Sequence, residues 1–400
     1  VFEVRLMPET VDLRASVFDE DKYGEIERLR AEAWYAPVPD GYVFFNQAEA
    51  VWVLKCEAFK FDFFQINPET SPFLSASIEH ELLNKHSHAH DRLQKQVLKA
   101  LRDQVVDGLQ ERIASSVDRL LADFPDAGDI DFCEAFADPF PALVLGPMFG
   151  IPYADTAGLD DWIRGGGRKV DALQSGVGIE DVEQAVRQMH GFLAELLADR
   201  RANPGEDIFS ELIEAEIDGD RLSDAELVSL AAELASAGVD TTRSQLPLIL
   251  EQVLLHPEQM ALIVQDPGLA RQAVDEGMRV APLPWALPHR AVMDVTHNGL
   301  DIRKGDKAMV LIPAVNRDPT EWDRPDVFDI TRPRQRNFSF GYGMHSCPGA
   351  HLARMEMTIA LQEILRRFDH ITLVDVPERD VVQKGGAPKR MILNVRKRRA

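Results

Sequence analysis

One cysteine in this chain stands where its neighbours reveal what it can do. Phe340-Gly341-Tyr342-Gly343-Met344-His345-Ser346-Cys347-Pro348-Gly349 is a glycine-rich loop. After it, Ala353, Met357, Leu361, Ile364 and Phe368 recur on one face at helical spacing. The pattern predicts Cys347 at a helix N-terminus, where free N–H groups and the helix dipole favour a thiolate. Gly341, Gly343 and Gly349 let the backbone turn tightly and approach a flat ligand. A thiolate held this way suits a haem iron as the axial ligand that promotes O–O cleavage. The plainer alternative is a buried, inert cysteine, the commoner case for a cysteine taken alone.

A second group lies inside a long run of helical periodicity, 223–256. Ala237-Gly238-Val239-Asp240-Thr241-Thr242 places a glycine in a helix interior, at a cost of about 1 kcal/mol, beside two β-branched residues that crowd the turn. Such faults mark tight packing or a functional distortion, and spacing alone leaves both open. Glu276-Gly277-Met278-Arg279 is an i,i+3 pair of opposite charge, ordinarily a weak surface contact. His86, His88 and His90 could be a metal cluster or a solvated run, but no cysteine or second histidine pair completes a zinc site.

A mostly helical scaffold must position these groups. Residues 88–121, 180–202, 223–256, 258–265 and 269–280 carry apolar residues at helical spacing. Strand signals are fewer: 41–45, a hairpin-like stretch over 291–313 with Asn298-Gly299 and Lys304-Gly305 as turns, and 371–374 with 391–395. The expected class is mainly α with a small β-rich lobe. Length alone suggests two or three domains. No linker, repeat or low-complexity run divides the chain, which favours one unit over 1–400.

A net charge of −22 and a pI near 4.9 disfavour nucleic acid as a partner. The basic run 389–399 reads as a solvated strand end. The three cysteines, Cys56, Cys133 and Cys347, argue against a disulfide framework and for a reducing, cytoplasmic setting. No apolar signal core opens the chain and no apolar run reaches about 18 residues, so no membrane span is expected.

Phe340, Gly343, His345, Cys347 and Gly349 together form Phe-x-x-Gly-x-His-x-Cys-x-Gly. This resembles the haem-ligand loop of the cytochrome P450 superfamily, specifically its soluble bacterial members. The resemblance covers essentially the whole chain, most specifically from about residue 230 to 360. It implies the P450 fold, haem b with Cys347 as metal ligand, and Phe340, Gly341 and Gly349 shaping the loop. Ala237 to Thr242 resembles the oxygen-activation motif, where the helix opens over the haem. Small residues at Ala237 and Gly238 would leave room for dioxygen, Thr241 would hydrogen-bond the iron-bound group, and Asp240 would relay protons.

Glu276 and Arg279 resemble the family's buried Glu-x-x-Arg scaffold. The arginine that usually precedes the Phe of its partner segment is Val327 here, beside Phe328. Arg332 is near in sequence, but no third partner is assignable from sequence. For the propionates the resemblance implies His345, Arg290, which lies six residues after Pro284, and His90. Gln94 replaces the usual arginine as a neutral donor.

Substrate contacts would come from Leu234 on the face of Thr241, from Trp285, Ala286 and Leu287 over the haem, and from a lid over 61–83. Glu233 faces either the pocket or solvent. Trp285 would narrow the cavity.

The implied activity is monooxygenation of a small hydrophobic molecule (terpenoid, aromatic or steroid-like) by a monomer. It would use O2 and electrons from NAD(P)H through a ferredoxin reductase and a ferredoxin. No flavin, nucleotide or iron–sulfur motif is present, so redox partners must be external. Lys95, Lys99, Arg102 and Arg336 would form a basic docking patch. The alternatives are a non-catalytic haem-binding or ligand-sensing protein, against which Asp240-Thr241 argues, and a peroxide-driven variant.

Overall fold

The computed structural model describes residues 9–13, 15–62, 66–101, 108–151, 178–214, 216–217, 220–379 and 386–399. Its main helices are α1 (Lys22–Glu32), α2 (Gln47–Lys55), α3 (Pro72–Glu79), α4 (Ser87–Ala100), α5 (Gln110–Ala122), α6 (Phe140–Met148), α7 (Ile179–Ala202), α8 (Ile208–Glu214), α9 (Asp224–Leu255), α10 (Pro257–Gln265), α11 (Ala270–Val280) and α12 (Ala350–Arg367). The periodicity over 88–121 belongs to two helices, α4 and α5, with 102–107 outside the described residues.

α9 is the central element. Ser223 caps it through a reciprocal box with Glu226, which satisfies backbone donors at its start. Leu230, Ala231, Val239, Leu246 and Ile249 are fully buried on several faces, as expected of a helix enclosed by neighbours. α6, α7, α11 and α12 pack against it. Gly277 of α11 permits close approach, since a Cβ there would stand 3.0 Å from Ile249 Cγ1.

The larger sheet has the order β1 (Tyr35–Val38), β2 (Gly41–Phe44), β8 (Lys307–Leu311), β5 (Ala286–Ala291), β3 (Phe59–Phe61). Only the β2–β8 pairing in it is parallel. Its register sets His289 opposite Phe61 and Ala308. β6 (Val295–His297) and β7 (Leu300–Ile302) form the expected hairpin. Its turn has positive φ at Asn298 (47°) and Gly299 (82°), as a type I′ turn demands. A second sheet joins β9 (Phe368–Leu373), β10 (Ile392–Lys397) and β4 (Ala127–Asp131). Among the described residues, no helix is long and apolar enough to cross a membrane.

Candidate functional site

The Cys347 loop is fixed by its own backbone. Cys347 N–H donates to Phe340 C=O at 2.9 Å, and Gly341 N–H to Phe338 C=O at 2.8 Å. Gly343 has φ 75°, and a Cβ there would stand 2.5 Å from the Leu54 carbonyl oxygen, so only glycine fits. Gly349 has an ordinary φ of −85° and caps α12. A Cβ on it would lie 4.0 Å from Cys347 Sγ, in ordinary van der Waals contact.

Cys347 is exposed and yet desolvated, as is a side chain facing a narrow internal cleft. Burial pushes its thiol up, opposed by the Gly349 N–H and the Arg354 guanidinium.

Behind the loop lies a buried charge cluster. Arg279, 1% exposed, donates bidentately to Glu276, with both contacts 2.8 Å. It also donates to the carbonyls of Asn316, Pro325 and Val327. Arg332 supplies the third member, with Nε 3.0 Å from Glu276 Oε1. Val327 therefore contributes its carbonyl, while the cation comes from four residues beyond Phe328. A cavity of about 460 Å³ opens beside this cluster, lined by Arg271, Arg332, Arg334, Arg336, Arg354 and Cys347. Lys95 and Lys99 are exposed on α4, and Arg102 lies outside the described residues.

On α9, Ala237 and Thr241 are exposed while Ala235, Val239 and Thr242 are buried, so this face also borders a cleft within the body. The helix runs unbroken through 237–242 rather than opening. Thr241 Oγ1 donates to Ala237 C=O at 2.6 Å, the back-bond by which a threonine satisfies itself inside a helix. Gly238 does not make room for a ligand. A Cβ there would lie 2.5 Å from Leu145 Cδ1 of α6, so this glycine serves helix packing. Asp240 is ion-paired with Arg243.

Four histidines from different segments meet beside the loop. His345 packs edge-on to His90 at 4.5 Å and to His86 at 5.6 Å between ring centroids. The ring of Phe61 lies 5.2 Å from both His345 and His289. Burial and mutual repulsion push His345 down to about 3 and His289 down to about 4, and lower His86; burial lowers His90. The Nδ1 atoms of His90 and His345 are buried without a hydrogen-bond partner. Asp91, 3.7 Å from His90 Nδ1, is too distant to supply one. Among the described residues no group of histidine, cysteine or carboxylate is arranged to hold a metal ion. The cluster suits an anion, which would offset the desolvation and the mutual repulsion together.

Two expected members of that cluster are engaged elsewhere. Arg290 donates to Asp62 at 2.7 Å and to Gly305 C=O at 2.8 Å. Neighbours on a strand point to opposite faces, so His289, 4% exposed, enters the cluster where Arg290 does not. Gln94 donates to Met344 C=O at 2.9 Å and ties α4 to the loop. The missed members are His86 and His289. Alternation along 286–291, with Phe61 opposite, is the signal that could have found His289.

The expected substrate residues disperse. Glu233 accepts the backbone N–H groups of Leu82 and Leu83 at 2.6 and 2.9 Å, pinning the strap between α3 and α4. Trp285 packs edge-on against Phe18 at 5.7 Å, and with Ala286 joins the N-terminal apolar cluster. Its indole is held against Phe18, which corrects the expectation that it narrows the cavity. Leu287 points the other way, 3.9 Å from where a Gly341 Cβ would stand. Leu234 is half-buried against the main core. The expected lid contains α3, held to α7 by Ser77 and His190 at 3.0 Å and by Arg187 over Phe73 at 4.1 Å; residues 63–65 lie outside the described residues.

With this geometry in place, comparison with known proteins gives one answer. The family model described as Cytochrome P450 matches residues 178–394. The polyketide biosynthesis cytochrome P450 PksS of Bacillus subtilis (strain 168) is 31% identical over 319 residues, 78% of each chain. The epothilone C/D epoxidase of Sorangium cellulosum is 31% identical over 381 residues, covering 90% of this chain and 89% of that protein. The crystal structure of P450BioI in complex with an acyl carrier protein ligated to hexadec-9Z-enoic acid superposes with a TM-score of 0.88. It has 26% identity and covers 95% of this chain and all of that one.

Proposed function

We propose, from the premise that this chain belongs to the cytochrome P450 family, that Cys347 ligates the iron of a haem b and that His90, His289 and His345 receive its propionates. The family is one of haem-thiolate proteins, and the chain is a P450 monooxygenase, an oxidoreductase. The observation that carries the site assignment is the pair of buried, unpartnered Nδ1 atoms on His90 and His345 beside the Cys347 loop.

When bound, haem with a thiolate ligand supplies activation of dioxygen, with one oxygen atom entering the substrate and the other leaving as water. This chain's residues would place the substrate and manage protons. Ala237, Leu234 and Leu287 offer apolar wall. Thr241 holds a proton at its hydroxyl and can turn it from Ala237 C=O toward the cleft. Asp240, on leaving the guanidinium of Arg243, can take up a proton from solvent and pass it on to Thr241. The arginine-lined cavity, with Lys95 and Lys99, would receive an acidic ferredoxin carrying electrons from NAD(P)H. The names of PksS and the epothilone epoxidase favour a lipophilic natural product as substrate, polyketide-like in size.

The reduced, carbon-monoxide-bound protein should show the red-shifted Soret band of thiolate-ligated haem. A histidine-type band in active protein would overturn the ligand assignment. A panel of polyketides, terpenoids, aromatics and steroids, read by haem spin-state shift, should identify the substrate class. Thr241→Ala should keep that shift while diverting electrons to peroxide, and unchanged product yield would remove Thr241 from the proton route.

A further inference from the structure

The tautomer of His289 is fixed by its own strand. The residue sits on β5 between β3 and β8, both antiparallel to it, opposite Phe61 and Ala308. Its ring is buried and meets Phe61 edge-on. Its Nδ1 lies 3.2 Å from Leu287 C=O. A carbonyl oxygen only accepts, so Nδ1 carries a hydrogen. In a neutral imidazole the other nitrogen, Nε2, then offers only a lone pair. An ionised haem propionate also offers only lone pairs. Two acceptors repel, so a neutral His289 in this tautomer does not hold the anion that the cluster suits.

The cations on neighbouring strands are engaged elsewhere or exposed. Arg290 projects from the opposite face of β5 and donates to Asp62 and Gly305 C=O. Lys60 of β3 stands opposite Arg290 and is exposed. Lys307 of β8 also stands opposite Arg290 and pairs with Asp40. The strap and α4 bring His86 and His90, with Asp91 3.7 Å from His90 Nδ1, and the Cys347 loop brings His345. Gln94 is neutral and donates to Met344 C=O. Burial disfavours charge on His289 most, pushing the imidazole down to about 4; His86 adds to this, and the Leu287 carbonyl and Asp62 oppose it. A carboxylate beside Nε2 acts in the same direction as Asp62.

We propose that haem enters this site together with a proton: one proton passes from solvent to Nε2 of His289, and the imidazolium donates to a propionate while Nδ1–H stays on Leu287 C=O. The proposal rests on the assignment of the propionates under Proposed function. The charges balance, one imidazolium against one carboxylate. An arginine would do the same with a permanent charge, whereas His289 must acquire its charge as the anion arrives. Haem affinity therefore depends on pH. The anion raises the pKa of the imidazole from about 4, so affinity is greatest on the acid side. As pH rises above about 4, affinity falls by at most roughly tenfold per unit, and it levels off once pH passes the raised value.

The reduced, carbon-monoxide-bound holoenzyme is diamagnetic, so isotope-labelled histidine rings can be read in it by NMR. At about pH 7, one ring that is missing from the spectrum of His289→Arg should carry hydrogen on both nitrogens. A ring assigned to His289 with a single N–H, on either nitrogen, would overturn the proposal.

Transfer of haem from the holoenzyme to an apo-globin acceptor gives a second readout. Wild type should lose haem severalfold faster at about pH 8 than at about pH 6, and His289→Arg should lose most of that dependence. The same dependence in both would overturn the proposal. His289→Gln, a neutral donor, keeps the test decisive where the arginine variant loads haem poorly. It should lose haem faster than wild type at the lower pH, with the gap closing at the higher. A gap that stays constant with pH would overturn the proton step and leave His289 as a propionate partner. No gap at any pH would remove His289 from the propionates and overturn both. Neither readout depends on turnover, and the Soret band tests the thiolate assignment separately.

Discussion

Behind the Cys347 loop, Glu276, Arg279 and Arg332 form a closed set, and Asp275 holds Arg354. In front of it, four imidazoles crowd together with two ring nitrogens unbonded and their basicity suppressed. One region is finished by folding alone. The other keeps hydrogen-bonding capacity in reserve, which costs stability until a ligand arrives. A satisfied network fixes geometry, whereas an unsatisfied one binds.

The sharpest way to break this contrast is to unpair the closed side. Glu276→Leu should leave Arg279 and Arg332 buried without their carboxylate and destabilise the fold by about 3–5 kcal/mol. Thermal unfolding would check it, and a change under about 1 kcal/mol would show that the cluster is not structural. On the open side, His90→Leu should leave unfolding nearly untouched while weakening haem retention about 10–100-fold, the loss of one hydrogen bond to a charged group at about 1.5–3 kcal/mol. Transfer of haem to an apo-globin acceptor would measure this. Equal haem loss from Arg290→Leu would restore Arg290 to the site.

His345 and Cys347 announce themselves because loop chemistry is local. Gly343 holds a positive φ of 75° in its own turn, and a glycine pattern records such constraints. The Glu276–Arg279 pair is likewise local, one helical turn apart. Arg332, His289 and Glu233 were not legible as partners, because each acts across 56, 56 and 150 residues respectively. Strand register and helix packing decide those meetings, and neither is written at the residues themselves. Trp285 shows the same limit. Its type suggested a cavity wall, but it packs onto Phe18, a partner far away in sequence. Gly238 shows a different one, since a glycine that packs and a glycine that admits a ligand look identical in sequence.

Smaller effects test the strap. Glu233→Ala should free the Leu82 and Leu83 amides and loosen the strap by about 1–2 kcal/mol, by analogy with loss of a helix cap. Hydrogen exchange at 80–86 would report it, and unchanged protection would show that the strap is held elsewhere. Arg243→Leu removes a partly exposed pair, so stability should change by less than about 1 kcal/mol. Turnover should still change, since Asp240 loses its tether, and an unaltered rate would mean that Asp240 is outside the proton route.

The strap pinned by Glu233 also carries His86, three residues past Leu83, into the histidine cluster. Its neighbour α3 forms part of the lid. Variation that relaxes the lid to accept bulkier molecules therefore pulls on the same short segment that grips the cofactor. In laboratory evolution of this enzyme, broader substrate range and poorer haem loading should travel together. Library members should be ranked by activity per bound haem, because ranking by activity per chain would discard variants whose pockets had improved.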